Sequence, residues 1–152
     1  MAVSLREKRL VWQRGDKLEN LGQLSEDACG LAVTITNNYH QSRSSKITRL
    51  DGTATDGDKM EKAFEFFGFV CIRARNMLAK EINELVETVT SCEALANCKC
   101  IAFVFSGHGK EGTVLGEDDS VDSAMVDIDD DIIQPFVNAS ALAKAPKLFF
   151  ID

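Results

Sequence analysis

Ile101-Ala102-Phe103-Val104-Phe105-Ser106-Gly107-His108-Gly109 is the stretch whose reading decides the fold. Its first five residues form a continuous apolar run of strand length, as expected for a strand buried on both faces. The run passes without a linker into a glycine-flanked histidine. Working outward, three more runs of the same kind appear: Leu31-Ala32-Val33-Thr34-Ile35, Phe69-Val70-Cys71-Ile72 and Leu148-Phe149-Phe150-Ile151, the last entered through Pro146. Helical patterns separate them. Met60, Ala63, Phe64 and Phe67 fall on one stripe, with Asp56 and Asp58 in the first turn and Gly68 as the stop. Met60 and the cluster Phe64, Phe66, Phe67 and Phe69 are assigned to the core. Asn76 is placed as the cap of a second helix carrying Leu78, Ile82, Leu85 and Val89 on one face. Residues 37–53, rich in Asn, Ser, Arg and Gly, read as a long loop. Apolar runs alternating with helices predict an α/β fold with a mostly parallel sheet and right-handed crossovers.

The chain has 152 residues, the size of one domain, with ordinary hydrophobic (45%) and charged (27%) fractions. This excludes collagen, coiled coil and a disordered chain. No segment reaches the roughly 20 apolar residues needed to span a bilayer, so no membrane partner is expected. The net charge is -7. The excess sits in residues 117–131, which carry Glu117, Asp118, Asp119, Asp122, Asp127, Asp129, Asp130 and Asp131 and no base. Without a basic face, nucleic-acid binding is not expected. The five cysteines are Cys29, Cys71, Cys92, Cys98 and Cys100. An odd number, with several beside apolar runs and no signal or transit pattern at the start, points to structural thiols in the cytoplasm. Cys98-Lys99-Cys100 lacks a second pair at ligand spacing, so neither a metal nor a cofactor is expected. Residues 1–28 read as a leader or prodomain remnant, in which Trp12 is an anchor or a partner contact. Residues 29–152 read as the domain.

In open parallel sheets the site lies beyond the carboxyl ends of the strands. Two strands end there in suggestive residues, one at His108 and one at Asp152. Glycines on both sides of His108 let the backbone turn and leave amide N–H groups bare. A neutral imidazole can exchange a proton with a nucleophile, and bare N–H groups can hold an oxyanion. The alternative is a histidine in a tight turn with only a packing role. Gly107 to Thr113 lacks the Gly-Lys-Ser/Thr order of a phosphate loop.

Phe103-Val104-Phe105-Ser106-Gly107-His108-Gly109-Lys110-Glu111-Gly112 resembles the histidine segment of the caspase family of cysteine peptidases. Ala145-Pro146-Lys147-Leu148-Phe149-Phe150-Ile151-Asp152 resembles the strand leading to that family's catalytic cysteine. Leu50-Asp51-Gly52-Thr53, with Asp56 and Met60 after it, resembles its Arg-x-Gly-Thr loop and following helix. The resemblance runs from about Gly30 to Asp152. It implies a caspase-like three-layer sandwich in which the C-terminal strands are missing. It also implies proteolysis by a Cys/His dyad. His108 would protonate the leaving amine, and the N–H groups of Gly109 and of the cysteine would hold the oxyanion. A backbone carbonyl near Thr48 would orient the ring.

The cysteine itself would fall two positions past Asp152, about 46 after His108, close to the family spacing of about 50. None of the five cysteines present takes its place. The chain therefore reads as a large-subunit fragment, inactive alone, with exposed apolar edges and poor solubility. The implied partners are peptide substrates, a small subunit and a second copy.

Two positions bear on specificity. Family members cut after Asp through an Arg before the Gly-Thr pair and a Gln before the cysteine. Here Arg49 stands one residue early, and Asp152 replaces the Gln. Arg49 in that role, reached through a one-residue shift of the loop, implies cleavage after Asp, and this is the specificity expected. Asp152 resembles the paracaspases and metacaspases, which cut after Arg or Lys. A non-catalytic decoy or interaction module is the other alternative. Residues 117–131 read as a solvated loop and helix start, a calcium site or cleavage segment being their functional alternatives; the EF-hand order is absent. His40, beside Tyr39, reads as solvated.

Overall fold

The computed structural model describes residues 9–18 and 28–152. Its centre is a five-stranded sheet with every neighbouring pair parallel. The strands are β1 (Arg9–Val11), β2 (Gly30–Thr36), β3 (Phe69–Arg75), β4 (Ile101–Ser106) and, last in sequence, β8 (Lys147–Ile151). Their spatial order is β1-β3-β2-β4-β8. All of β2 is buried, as a central parallel strand covered on both faces must be.

The two-residue period of β2 sorts its side chains to two layers. Leu31, Val33 and Ile35 join Phe103, Phe105 and the buried face of α2 (Ala79–Thr90) in the larger core. That core also holds Phe136 of α4 (Gln134–Asn138). Ala32 joins Cys71, Ala102, Val104 and Phe64 of α1 (Thr53–Phe66) on the opposite face. The result is the expected three-layer α/β sandwich. Among the described residues, no helix is long and apolar enough to cross a membrane.

The helix α1 is rotated from the expected stripe. It buries Thr53, Gly57, Glu61 and Phe64, while Phe66 is 85% and Phe67 65% exposed. The sheet face beneath it is lined with small residues, and Gly57 sits so close to the methyl of Thr36 that a Cβ would overlap it. Glu61 turns inward because Arg73 of β3 reaches across to it, with Nε 2.8 Å from Oε1. A buried carboxylate held by an arginine looks polar in the sequence, so the apolar period pointed to the wrong face. Arg9 of β1 also contacts Glu61, at 3.3 Å, and Asp58 binds both Arg73 and Arg75.

Asn76 does not cap α2. It has a positive φ of 53° and accepts a hydrogen bond from the Asn38 N–H. The helix begins at Ala79 after extended Leu78, which is 39% exposed and off the buried face. Two carboxylates satisfy its first donors: Glu81 accepts from the Leu78 N–H at 2.9 Å, and Asp118 from the Ala79 N–H at 2.8 Å.

Residues 9–18 pack onto the domain. The backbone N–H of Trp12 donates to the Arg73 carbonyl at 2.8 Å, and its ring is buried, so it anchors this stretch. Trp12 and Leu18 enter the larger core.

After β4 the chain forms a small antiparallel sheet of β5 (Gly109–Lys110), β6 (Thr113–Leu115) and β7 (Met125–Asp127), with the short α3 (Val121–Ala124) before β7. The acidic stretch is mostly exposed here, but it is not only a solvated loop. Glu117 is buried, Asp118 holds the start of α2, and Asp127 accepts from the Asp130 N–H of a wide turn at Ile128–Ile133.

The other end of the sheet is β8. Phe149 packs on Phe103 and Phe136, but Leu148, Phe150 and Ile151 stay 37–44% exposed. The exposed apolar edge expected from the sequence is present.

Candidate active site

β4 carries the chain to the site. Gly107 follows it directly, and a Cβ there would lie 2.6 Å from the Tyr39 hydroxyl and 2.9 Å from the Phe105 ring. Only glycine admits that approach. A Cβ at Gly109 would stand 2.8 Å from the Thr113 carbonyl, so the second glycine lets the β5–β6 hairpin close. The glycines around His108 thus set the position of the loop.

His108 is held from three sides. Its N–H donates to the Tyr39 hydroxyl at 2.7 Å, and its carbonyl accepts from the Leu115 N–H at 2.8 Å. Nε2 lies 2.7 Å from the Thr48 carbonyl and 3.3 Å from the Thr48 hydroxyl. A carbonyl oxygen only accepts, so Nε2 carries the proton. Nδ1 is then the nitrogen that carries the lone pair. A backbone carbonyl thus fixes the orientation of the ring, as a carboxylate fixes that of the histidine in a serine-peptidase triad.

Tyr39 is the residue that the sequence reading passed over. It has a positive φ of 59° in the long loop, and its side chain is buried. Its hydroxyl donates to the Leu115 carbonyl at 2.7 Å while accepting from His108, and its ring centroid lies 4.7 Å from that of the imidazole. Glu117 supports it from behind, accepting the N–H groups of Asn38 and Tyr39 at 3.0 and 2.7 Å. Asn37, also buried, ties Met77 and Leu115 to the same loop. No apolar period marks these residues, because each acts through hydrogen bonds to distant backbone. The only signal was that the single tyrosine of the chain sits in an Asn-rich loop. His40 is not merely solvated: its Nε2 lies 3.0 Å from the Asp51 carboxylate.

Burial pushes the Tyr39 hydroxyl up to about 12. The unfolded chain loses that proton near pH 10 and the folded chain near 12. Stability from this group is therefore complete below pH 10 and lost as pH rises toward 12. Tyr39→Phe is expected to remove that part of the alkaline decline. It is also expected to cost about 1–3 kcal/mol at pH 7, because the Leu115 carbonyl loses a buried donor. Urea unfolding of both proteins at pH 7, 10 and 11 measures this; parallel curves would contradict it.

Asp152 is exposed and continues β8 beside the loop. Its N–H donates to the Phe105 carbonyl at 3.0 Å, and its carbonyl accepts from the Gly107 N–H at 2.9 Å. It borders a cleft of about 490 Å³ with Asp56, Gly57, Met60 and Ser106. Among the described residues, two carboxylates and no cation line that cleft. The structure thus brings His108, Gly109 and Asp152 to one end of the sheet. Arg49 is exposed in the loop before α1 and does not line the cleft.

The cysteines stand elsewhere. Cys98 and Cys100 precede β4, a strand length or roughly 20 Å from its carboxyl end. Burial raises both thiols, and it pushes Cys71 up to about 12. A nucleophilic thiol needs the opposite shift. Among the described residues, no three His, Cys, Asp or Glu side chains gather where they could hold a metal ion.

Comparison with known proteins identifies the family. The human protein Caspase-10 is 30% identical over 126 residues, which cover 81% of this chain and 22% of that protein. The chain thus spans about a fifth of the length of this curated relative. The model of the caspase domain matches residues 29–152, the whole of the sheet from β2 to β8 together with the His108 loop, and the chain belongs to the caspase family.

Proposed function

We propose that residues 29–152 are the histidine-bearing part of a cysteine endopeptidase whose nucleophile stands two positions beyond Asp152. The observation that carries this reading is the Thr48 carbonyl on Nε2, which leaves Nδ1 as the basic nitrogen at the end of β4. The strand register supports it. Ile151 pairs with Phe105, so a residue two places after Asp152 would be level with His108, at the roughly 4.8 Å spacing of adjacent strands. A cysteine there would give its proton to Nδ1 and attack the scissile carbonyl as thiolate. The N–H groups of Gly109 and the cysteine would stabilise the tetrahedral oxyanion. The imidazolium would protonate the leaving amine, and the neutral ring would then activate water to release the acyl group.

The cleft beside Asp152 favours one of the two specificities. A substrate carboxylate entering between Asp56 and Asp152 would meet like charge, whereas an Arg or Lys side chain would be attracted. Cleavage after Asp requires Arg49 to turn into the cleft from its exposed position. The exposed apolar residues of β8 fit a further strand contributed by a small subunit, in an assembly with a second copy. Five free cysteines fit a reducing cytoplasm.

The test is to express the polypeptide read from the transcript through and beyond Asp152 and assay it on matched fluorogenic peptides ending in Arg, Lys or Asp. Cleavage after Arg or Lys at least about tenfold faster than after Asp is expected, with Asp152→Gln abolishing the preference. Faster cleavage after Asp would overturn the basic specificity. No cleavage with any series would leave the chain as a non-catalytic binding module.

A further inference from the structure

The carboxyl end of β4 separates two concavities of opposite charge. One is the cleft between Asp56 and Asp152. The other is a pocket of about 290 Å³ lined by Lys46, Thr48, His108, Gly109 and Lys110, with apolar side chains at its base. Among the described residues no acidic side chain lines it, although the acidic stretch follows only a few residues later in the sequence. Lys46 comes from the loop before α1 and Lys110 from β5, and both are exposed. The hydrogen bond between His108 and Thr48 holds the two elements together at 2.7 Å.

We propose that this pocket receives the residues on the leaving side of the scissile bond and selects acidic side chains there. The inference rests on the peptidase reading above. The imidazolium gives its proton to the departing amine, so the departing segment begins at the ring. Its first side chains then enter the pocket that the same ring lines. Two ammonium groups, with no carboxylate beside them in the described lining, make that pocket a site for negative charge. Each exposed pair contributes a preference of about two- to fivefold and is weakened by salt. The substrate segment is then polarised, basic before the cut and acidic after it.

The test uses peptides that share one segment before the bond and carry Gly-Glu-Glu, Gly-Ala-Ala or Gly-Lys-Lys after it. With the full-length polypeptide, kcat/KM for the Glu peptide is expected to exceed that for the Ala peptide by about fivefold or more. The preference should fall to near one in Lys46→Gln/Lys110→Gln, and shrink as salt rises toward about 1 M. Equal cleavage of all three peptides would overturn the subsite and leave the peptidase reading intact. Failure to cleave any of them would overturn the peptidase reading, and the subsite with it. A second measurement needs no turnover. Gly-Glu-Glu amide titrated into the isotopically labelled full-length polypeptide is expected to shift the amide signals of Thr48, His108 and Lys110 at lower concentration than Gly-Ala-Ala amide. An equal response to both peptides would also count against the proposal.

Discussion

Replacing His108 with alanine in the full-length polypeptide is expected to lower kcat/KM by about 10³-fold or more. The variant loses every proton transfer assigned to the ring. The thiol is no longer deprotonated by a neighbour, and the leaving amine must depart unprotonated. The fold should persist, because what anchors this loop is backbone and tyrosine. The His108 N–H still reaches Tyr39, and its carbonyl still accepts from Leu115. Thr48→Ala is the informative comparison. It removes a hydroxyl at 3.3 Å but keeps the backbone carbonyl at 2.7 Å that fixes the tautomer. Its kcat/KM should stay within about tenfold of the parent. A His108→Ala enzyme with activity close to the parent would overturn the dyad, and a Thr48→Ala enzyme as impaired as His108→Ala would overturn the carbonyl's orienting role.

The second large effect is on stability. Arg73→Leu is expected to destabilise the domain by about 3 kcal/mol, since removing one partner of a buried pair strands the other charge. The Glu61 side chain is 1% exposed and that of Arg73 17%. After the substitution, Glu61 retains, among the described residues, Arg9 at 3.3 Å, whose side chain is 31% exposed. Asp58 loses one of its two arginines. For a domain of this size the loss corresponds to a fall in Tm of about 6–12 °C. Glu61→Leu combined with Arg73→Leu should recover much of the loss, because a well-packed apolar pair is nearly as stable as a buried ion pair. Urea unfolding of the single and double variants decides this. A single variant within 1 kcal/mol of the parent, by the same scale, would show that water reaches the network.

What the sequence made legible follows from what leaves a mark in it. The strands β2, β3 and β4 were readable because burial on both faces demands continuous apolar runs, and β8 carries the same kind of run although most of it stays exposed at the sheet edge. The glycines around His108 were readable because backbone approach excludes a side chain, whatever lies opposite. The Thr48 carbonyl came from the resemblance alone, since a backbone atom has no residue type of its own. The orientation of α1 was not readable. Phe64, Phe66 and Phe67 are equally apolar in sequence, and only the small sheet face and the Glu61–Arg73 pair decide which of them is buried. The cap of α2 escaped for a related reason. Asp118 lies 39 residues from Ala79, so the hydrogen bond between them has no local signature.

By itself, then, the sequence determined the parallel α/β sheet, the His108 loop at its carboxyl end and the charge carried by Asp152, because each is encoded in consecutive residues. Only the tertiary structure decided the rest. It set Tyr39 and Glu117 behind the histidine, put a proton on Nε2 through the Thr48 carbonyl, and divided the site into an acidic cleft and a basic pocket. Those features join residues separated by long stretches of chain. Hydrogen bonds and Coulomb interactions depend on distance in space, which appears only once the strands have paired.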